Sequence, residues 1–400
     1  MQRFDTLTFI QHTFFAALLT GVLTPSGCAG HRPPRNSSEN AVSASDGGAE
    51  GPHPAGTDLA AGSPPKTMVP GSYPKIEIDA ENGRKKRIRH SFPFEGETVR
   101  VELEVSRAVL EGARNAYKYA VSIAGQEDPD WRDRYNRAFI DDPAQAPFLD
   151  ELHSELLDIA RQKKLDGDRT VELMTAFVQY IEYDTTRAAK PKFPIETFAD
   201  KKGDCDDKSR LLVALLARSD YRVATLHFDE ENHMAVGIKS DGDDYRNTGY
   251  TYIETTSPSL IGFPFSEKAD VQLHTVPTVH RVGTGKRKYT ATKDIKFLVD
   301  TLTSLEKKIT KGQKTLDELN QACADAEKKV AALQRQLNNS ASSVNAYNSA
   351  VDKFNSLIKK QRSLAGNTNE LIDLRNFIVQ NSTSRYSTVK HVRKVLKTLK

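Results

Sequence analysis

The feature that most constrains the fold of this chain is a heptad repeat near its C-terminus. Apolar side chains recur at alternating spacings of three and four from Ile295 to Ile358, with weak positions only at Gly312 and Ser340. A repeat of this period forms the seam of an α-helical coiled coil. The sequence therefore predicts a coiled coil over 293–380.

The repeat leaves the arrangement of the helix open. Its phase continues through Ser340, which favours one continuous helix about 95 Å long at about 1.5 Å per residue. The polar segment 338–343 offers the alternative, a bend that would turn the chain back into an antiparallel hairpin. Cys323 lies on the seam. It is either a core residue or, in a parallel in-register dimer, it faces Cys323 of the second chain. We expect a homo- or hetero-oligomer through this coiled coil.

The last segment, 381–400, is basic and amphipathic, and no acidic residue follows Ser382. Its basic residues are Arg385, Lys390, Arg393, Lys394, Lys397 and Lys400. The apolar residues that would share one helical face are Val389, Val392, Leu396 and Leu399. Such a helix can lie on an anionic membrane or bind an acidic polymer. The alternative is a solvated helix that packs on the coiled coil.

The N-terminus, 1–28, has the features of an export signal. Arg3 precedes an apolar run over 14–23, and small residues lead to Cys28. The run is shorter than the roughly 20 apolar residues that span a bilayer, and the order of these features is typical of a secretory signal. Its end resembles a bacterial lipoprotein signal, in which the cysteine is lipidated; ordinary cleavage after Ala29 is the alternative. We predict an exported protein of the cell envelope, anchored to a membrane through lipidated Cys28.

Composition narrows the function classes. The segment 29–72 is rich in Gly, Pro, Ser and Ala, which predicts a disordered linker. Of the 400 residues 38% are hydrophobic, and the net charge is +4. These values argue against a multi-span membrane protein and against nucleic-acid binding, so the basic run 84–89 is interpreted as a solvated loop. Three cysteines cannot form a disulfide framework. They show no metal-ligand spacing with histidines, so neither a metal site nor a cofactor is predicted.

The globular body is predicted to comprise an N-terminal part, 73–145, and a catalytic core, 146–285. Residues 99–105 alternate between apolar and polar, which predicts a half-buried strand. Apolar residues recur at helical spacing over 149–160 and again over 171–183. The body is therefore expected to mix helices and strands before the coiled coil begins.

The central motif of the core is Gly-Asp-Cys-Asp-Asp at 203–207, followed by the apolar run 211–217. Gly203 suits a tight turn and Asp204 suits a helix N-cap, so Cys205 would be the first residue of a buried helix. The helix N-terminus favours a thiolate, and its backbone N–H groups can receive a developing oxyanion. The neighbouring carboxylates raise the pKa of the thiol, so a nearby imidazolium is needed.

Strands after this helix carry two further candidate groups. The predicted strands cover 223–228, 233–238 and 250–256. His233 opens the second strand, and Glu254 lies near the end of the third. Together with Cys205 they could form a nucleophile, a base and a group that orients the base.

Five sequence blocks occur in order at 177–179, 194–197, 203–207, 233–237 and 252–256. Together they resemble the transglutaminase-like cysteine-hydrolase superfamily, most closely a prokaryotic, envelope-associated branch, over about 91–265. The resemblance implies an α+β fold with a papain/transglutaminase-like core, in which a helix carrying the cysteine packs on an antiparallel sheet. It also implies Cys205 as the nucleophile, His233 as the general base and acid, and Glu254 as the third residue, where many members carry Asp.

The same resemblance bears on the oxyanion donor. No glutamine stands shortly before Cys205, where papain-like enzymes place such a donor. The backbone N–H of Cys205 is the first candidate, with support from Asp204, Gln179 or Tyr183.

Two functions from different classes are open. The first is an exported thiol enzyme, a cysteine peptidase, amidase or acyltransferase, that acts on a peptide or cell-envelope amide through a thioester. The second is a non-catalytic envelope scaffold that binds a peptide and works through its coiled coil. The complete set of Cys205, His233 and Glu254 favours the enzyme.

Overall fold

The computed structural model describes residues 72–78, 83–119, 130–186, 190–242, 244–263, 273–338 and 340–398. The leader 1–28, with Cys28, and the linker up to residue 71 lie outside this part of the chain. Export, lipidation and the linker therefore stay predictions. None of the helices in the described ranges combines enough length with enough apolar character to cross a membrane.

The described chain is a mixed α+β body followed by a long helical region, which confirms the predicted class. The helices are α1 (Arg107–Asn115), α2 (Trp131–Ile140), α3 (Ala146–Gln162), α4 (Gly167–Gln179), α5 (Pro194–Asp200), α6 (Cys205–Arg218), α7 (Thr292–Arg335), α8 (Ala341–Gln380) and α9 (Arg385–Val395). The strands are β1 (Lys85–Phe94), β2 (Glu97–Ser106), β3 (Glu182–Tyr183), β4 (Lys202–Gly203), β5 (Arg222–Phe228), β6 (His233–Ile238), β7 (Thr251–Ile253) and β8 (Thr278–Thr284).

The N-terminal part of the body is built around the β1–β2 hairpin, whose strands are antiparallel. Val99, Val101 and Leu103 are buried while the residues between them are exposed, as the alternating pattern predicts. The apolar face of the hairpin packs against α3 and α4. This packing joins the hairpin to the first two helices of the segment 146–285.

The interpretation of the basic run 84–89 as a loop is wrong, because most of the run lies in β1. Ile88 is buried, and its basic neighbours point to solvent. There Arg87 and Arg89 lie 3.3 and 2.5 Å from carboxylate oxygens of Glu102 on β2. The strand is hard to recognise in the sequence because the run contains only one apolar residue.

The sheet of the core has the strand order β7-β6-β5-β8, and all neighbouring strands are antiparallel. Helix α6 packs across one face of this sheet and also contacts α2, α3, α4 and α5. The apolar run 211–216 is completely buried because it lies within this packing. The predicted third strand is shorter than expected: only Thr251–Ile253 is strand.

Helices α7 and α8 form an antiparallel hairpin, so the continuous helix favoured by the heptad phase is wrong. Two contacts show the direction. Glu306 pairs with Arg375 at 3.4 Å, and Asn320 accepts a hydrogen bond from Gln361 at 2.5 Å. The seam is therefore filled within one chain over the half nearer the body, whereas Leu337 and Val344 near the turn stay 45% and 38% exposed. A further oligomer through this region stays a prediction.

Both weak positions of the repeat have a structural role. Ser340 is the N-cap of α8, since its Oγ accepts the backbone N–H of Ser343 at 3.3 Å. Gly312 allows close approach of the two helices, because a Cβ there would lie 2.6 Å from the Oγ1 of Thr368. Cys323 is buried on the seam as a free thiol. Because this turn preserves the heptad phase, only its capping residue, Ser340, marks it in the sequence.

Helix α9 packs on the hairpin and on the body, which is the second of the two interpretations of the basic C-terminal segment. Val389 and Val392 are buried. Arg385 is buried as well, and it donates hydrogen bonds to Glu172 of α4 at 2.5 Å and to Asp294 of α7 at 2.6 Å. Val389 and Val392 of the apolar face are therefore used inside the protein, whereas Leu396 is 37% exposed.

Candidate active site

Cys205 is the first residue of α6, as the sequence predicts. Asp204 is the N-cap: its Oδ1 accepts the backbone N–H of Asp207 at 3.0 Å, and Asp207 Oδ2 accepts the backbone N–H of Asp204 at 3.4 Å. Gly203 is required before the cap, because a Cβ there would lie 2.9 Å from Thr197. These contacts fix where the helix starts and thereby where the thiol lies.

His233 opens β6, is buried, and pairs with Phe228 of β5. Ser209, one turn into α6, donates its hydroxyl to the carbonyl of Met234 at 3.2 Å. The backbone of Met234 also lowers the pKa of the Cys205 thiol. The helix that carries the thiol and the strand that carries the imidazole therefore meet at this point.

The imidazole of His233 faces a carboxylate and a phenol. Its Nε2 lies 3.5 Å from Glu254 Oε2 and 3.3 Å from the hydroxyl of Tyr252. The same hydroxyl donates to Glu254 Oε2 at 2.6 Å. Sequence reasoning missed Tyr252. Its spacing of two residues from Glu254 was the available signal, because residues two apart on an extended chain share a face.

Glu254 lies one residue beyond β7 and is held by backbone and side-chain donors. Its Oε1 accepts the N–H groups of Thr255 and Thr256, both at 2.9 Å, and the hydroxyl of Thr256 at 2.8 Å. Burial raises the pKa of Glu254. The hydrogen bond and the charge of His233 lower this pKa, and hydrogen bonds from Tyr252 and Thr256 lower it further, so that it is about 2. Glu254 is therefore an anion at neutral pH.

The thiol of Cys205 has a pKa well above its ordinary value. Burial is the largest cause, followed by the negative charges of Asp206 and Asp204, and the backbone of Met234 opposes them only in part. Sγ donates to Asp206 Oδ1 at 3.5 Å. The helix N-terminus therefore does not offset burial and these carboxylates, and a pKa this high favours the neutral thiol over the thiolate at neutral pH.

Tyr183 lies beside the sulfur. It sits on β3, opposite Gly203 in the parallel pair with β4. The pKa of Tyr183 is raised above its ordinary value. Burial is the largest cause, and the interactions with Cys205 and Asp204 raise the pKa further. The phenol thus stays protonated beside the thiol of Cys205.

Gln179 does not have the contacts of an oxyanion donor. Its Nε2 donates to the carbonyls of Glu254 at 2.7 Å and Ser259 at 3.1 Å. Because both hydrogens of the amide are used by these carbonyls, neither is available to a reacting oxygen. Gln179 supports the site by holding the segment that follows β7.

Arg210 is a further residue that sequence reasoning missed. Its guanidinium is buried, 3.3 Å from Asp206 Oδ2 and 3.6 Å from Asp207 Oδ1, and it stacks 4.4 Å from the centre of the Phe139 ring. Burial and the charge of Asp204 raise the pKa of Asp207 to about 8, and Arg210 offsets part of this rise. The helical spacing of three and four residues between these charges was the signal.

Within the described ranges, no three His, Cys, Asp or Glu side chains are grouped closely enough to hold a metal ion. Comparison of the chain with protein-family models, with curated proteins and with solved structures finds no match. The resemblance to the transglutaminase-like superfamily therefore rests on the five sequence blocks alone.

Proposed function

We propose that this chain is an exported thiol enzyme with a papain/transglutaminase-like core, and that it cleaves or transfers amide bonds. Cys205 is the nucleophile, His233 the general base and acid, and Glu254 the group that orients the imidazole. One observation carries the proposal: a thiol at a helix N-terminus adjoins a strand whose first residue is a histidine, paired at 3.5 Å with a buried carboxylate. Nucleophile, base and orienting group in this order are what covalent acyl transfer requires.

The raised pKa of the thiol determines how the reaction begins. The amide carbonyl approaches Sγ of Cys205, and His233 accepts the thiol proton as the S–C bond forms. Nε2 of His233 faces Tyr252 and Glu254, so Nδ1 is the nitrogen that takes this proton. The anionic Glu254 stabilises the imidazolium that results.

The negative charge that develops on the carbonyl oxygen needs donors. The backbone N–H of Cys205, at the start of α6, points out of the helix and has no intrahelical acceptor. The protonated phenol of Tyr183 is the second donor. One such donor contributes about 10²–10³ to the rate in enzymes of this kind.

The second half of the reaction returns the enzyme to its starting form. His233 gives its proton to the leaving amine as the C–N bond breaks, which leaves a thioester on Cys205. Water or a second amine then attacks the thioester carbonyl and gives a proton to His233. The S–C bond breaks, the sulfur takes back the proton from His233, and the product is a carboxylic acid or a new amide.

The predicted leader, 1–28, indicates where in the cell the protein would act. A lipidated Cys28 would hold the protein on a membrane of the cell envelope, with the linker 29–72 between the anchor and the body. Peptides and cell-envelope amides are the substrates available there, and no cofactor enters the chemistry. The α7–α8 hairpin would serve a homo- or hetero-oligomeric contact.

Acetylation by p-nitrophenyl acetate tests the proposal without a known substrate. The wild type should form a thioester at Cys205, detected by the mass of the intact protein and the modified peptide. His233→Ala should slow acetylation by about 10²–10⁴, and Cys205→Ala should abolish it. Cys323→Ala is the matched control and should react like the wild type. Added amines then distinguish transfer from hydrolysis.

A non-catalytic scaffold is the second candidate, and the raised pKa of the Cys205 thiol is the observation that favours it. In that case the body would bind a peptide without cleaving it, and the long α7–α8 hairpin would carry the function. Acetylation of Cys205 no faster than that of Cys323 in the unfolded protein would support the scaffold.

A further inference from the structure

The segment that carries Glu254 is not held by the sheet. The last pair of residues between β6 and β7 is Val236 with Ile253, one residue before Glu254. The following segment, 254–257, is nevertheless buried. Buried backbone polar groups need partners. Contacts from outside the sheet must therefore set the position of the carboxylate.

The first of these contacts comes from Gln179, the last residue of α4. Its buried amide donates to the carbonyl of Glu254 and to the carbonyl of Ser259. One side chain thus joins both ends of the turn after β7. Because an amide is planar, the two bonds also fix the distance between those carbonyls.

The second contact comes from Lys208, three residues after Cys205 in α6 and completely buried. Its ammonium donates to the carbonyls of Gln179 at 3.1 Å, Ile181 at 2.7 Å and Thr256 at 3.2 Å. Lysine is almost never fully buried unless its charge is satisfied, and these three acceptors match its three N–H groups. The helix of the nucleophile is thereby connected to the segment of the carboxylate.

Thr256 transmits this connection to the carboxylate. Its carbonyl accepts from Lys208, while its N–H and its hydroxyl donate to Glu254 Oε1. We infer that Lys208 and Gln179 are positioning residues, which hold the turn after β7 so that Glu254 stays directed at His233. Their effect on catalysis rests on the proposed function, but the positioning itself can be measured without a substrate.

The variants Gln179→Leu and Lys208→Met remove the donors. We expect the pKa of Glu254, followed by carboxyl ¹³C NMR, to rise from about 2 towards its ordinary value of 4.5, because Thr256 is released. Gln145→Leu is the matched control for Gln179. Gln145 is a buried glutamine that bridges the carbonyl of Phe139 and the N–H of Ile195, so its loss should leave the pKa of Glu254 unchanged.

Lys118→Met is the matched control for Lys208, since Lys118 is a buried lysine that pairs with Glu196. The second readout is the rate of Cys205 acetylation, which should fall about tenfold or more in Gln179→Leu and Lys208→Met and stay near wild type in both controls. If Lys208→Met does not fold, Gln179→Leu at the helix end carries the test.

The outcomes separate the two proposals. An unchanged pKa of Glu254 in folded Gln179→Leu overturns the positioning role, whatever the wild type does with the ester. An increased pKa in a protein whose Cys205 never acetylates supports the positioning role and rejects the enzyme. If the control variants raise the pKa of Glu254 as well, the increase reflects a general loss of stability, and the positioning role is overturned.

Discussion

Two buried glutamates, one in the candidate active site and one beneath the C-terminal helix, respond differently to burial. Glu172 and Glu254 are 5% and 2% exposed. Each faces a basic side chain and a tyrosine hydroxyl, Arg385 and Tyr289 in one case and His233 and Tyr252 in the other. Yet burial raises the pKa of Glu172 to about 7, whereas that of Glu254 is about 2.

The two carboxylates also differ in how many donors reach their two oxygens. Glu172 Oε1 accepts from Arg385 at 2.5 Å and from Tyr289 at 2.6 Å, while Oε2 has no hydrogen-bond partner among the described residues. Glu254 has donors on both oxygens, and backbone N–H groups supply two of them. The low pKa of Glu254 rests first on the hydrogen bond and the charge of His233, and the donors on both oxygens add to that effect.

The largest expected effect comes from Arg385→Met, because it leaves Glu172 buried without its cation. At pH 8, where Glu172 is ionised, we expect the free energy of unfolding by urea to fall by about 3–5 kcal/mol. Glu172→Gln in the same chain should recover part of this loss. Arg393→Met is the control: Arg393 pairs with Asp294 at the surface, so its loss should cost about 0–1 kcal/mol. Equal losses in both variants would show that the buried pair does not anchor α9.

The pH dependence of stability should separate the two glutamates next. Glu172 binds its proton more tightly when folded, with a pKa of about 7 against 4.5, so its contribution weakens as pH rises from 4.5 through 7. Glu254 behaves in the opposite way, with a pKa of about 2 against 4.5, so its contribution is present above 4.5 and is lost as pH falls towards 2. Each difference amounts to about 3 kcal/mol.

Urea unfolding of three proteins across pH measures these two windows. Glu172→Gln should lack the decline of the wild type between pH 5 and 8, and Glu254→Gln should lack the decline between pH 4.5 and 2.5. Subtracting each variant from the wild type removes the contribution of other titrating groups. Difference curves that are parallel to each other would refute the contrast between the two carboxylates.

The contrast also shows what the sequence could and could not predict. The positions of Cys205, His233 and Glu254 in the fold were predictable because each belongs to a local pattern: a capped helix start, a strand opening and the end of a strand. Their catalytic roles stay predictions. The partner of Glu172 was not, since Arg385 is 213 residues away along the chain and no local pattern joins them. Pairing of this kind is decided by tertiary packing.

Two other failures have the same origin. The heptad phase is identical in a continuous helix and in this hairpin, so it determines the helices but not the turn at Ser340. The sequence shows the helix N-terminus and the carboxylates beside Cys205, which are local, but not the burial of the thiol, which is the largest cause of its raised pKa and depends on the whole fold. Lys208 was overlooked for the same reason, because a lysine beside two aspartates in the sequence resembles a surface residue.

The smallest expected effect comes from the two tyrosines, and it tests the donor count directly. Tyr289 and Tyr252 each donate a hydroxyl at 2.6 Å to one carboxylate. Tyr289→Phe removes one of two donors from Glu172 and should cost about 2 kcal/mol at pH 8. Tyr252→Phe leaves Glu254 its three donors on Oε1 and should cost about 1 kcal/mol.

Tyr221→Phe provides the reference for this pair, because the Tyr221 hydroxyl donates to the neutral carbonyl of Gly167 at 3.1 Å. Its cost should match that of Tyr252→Phe, since a carboxylate with several remaining donors loses little more than a carbonyl does. If Tyr252→Phe were instead the costlier of the two carboxylate variants, the hydroxyl shared with His233 would matter more than the number of donors. Glu254 would then owe its low pKa to the Tyr252–His233 pair and not to the backbone of the turn after β7.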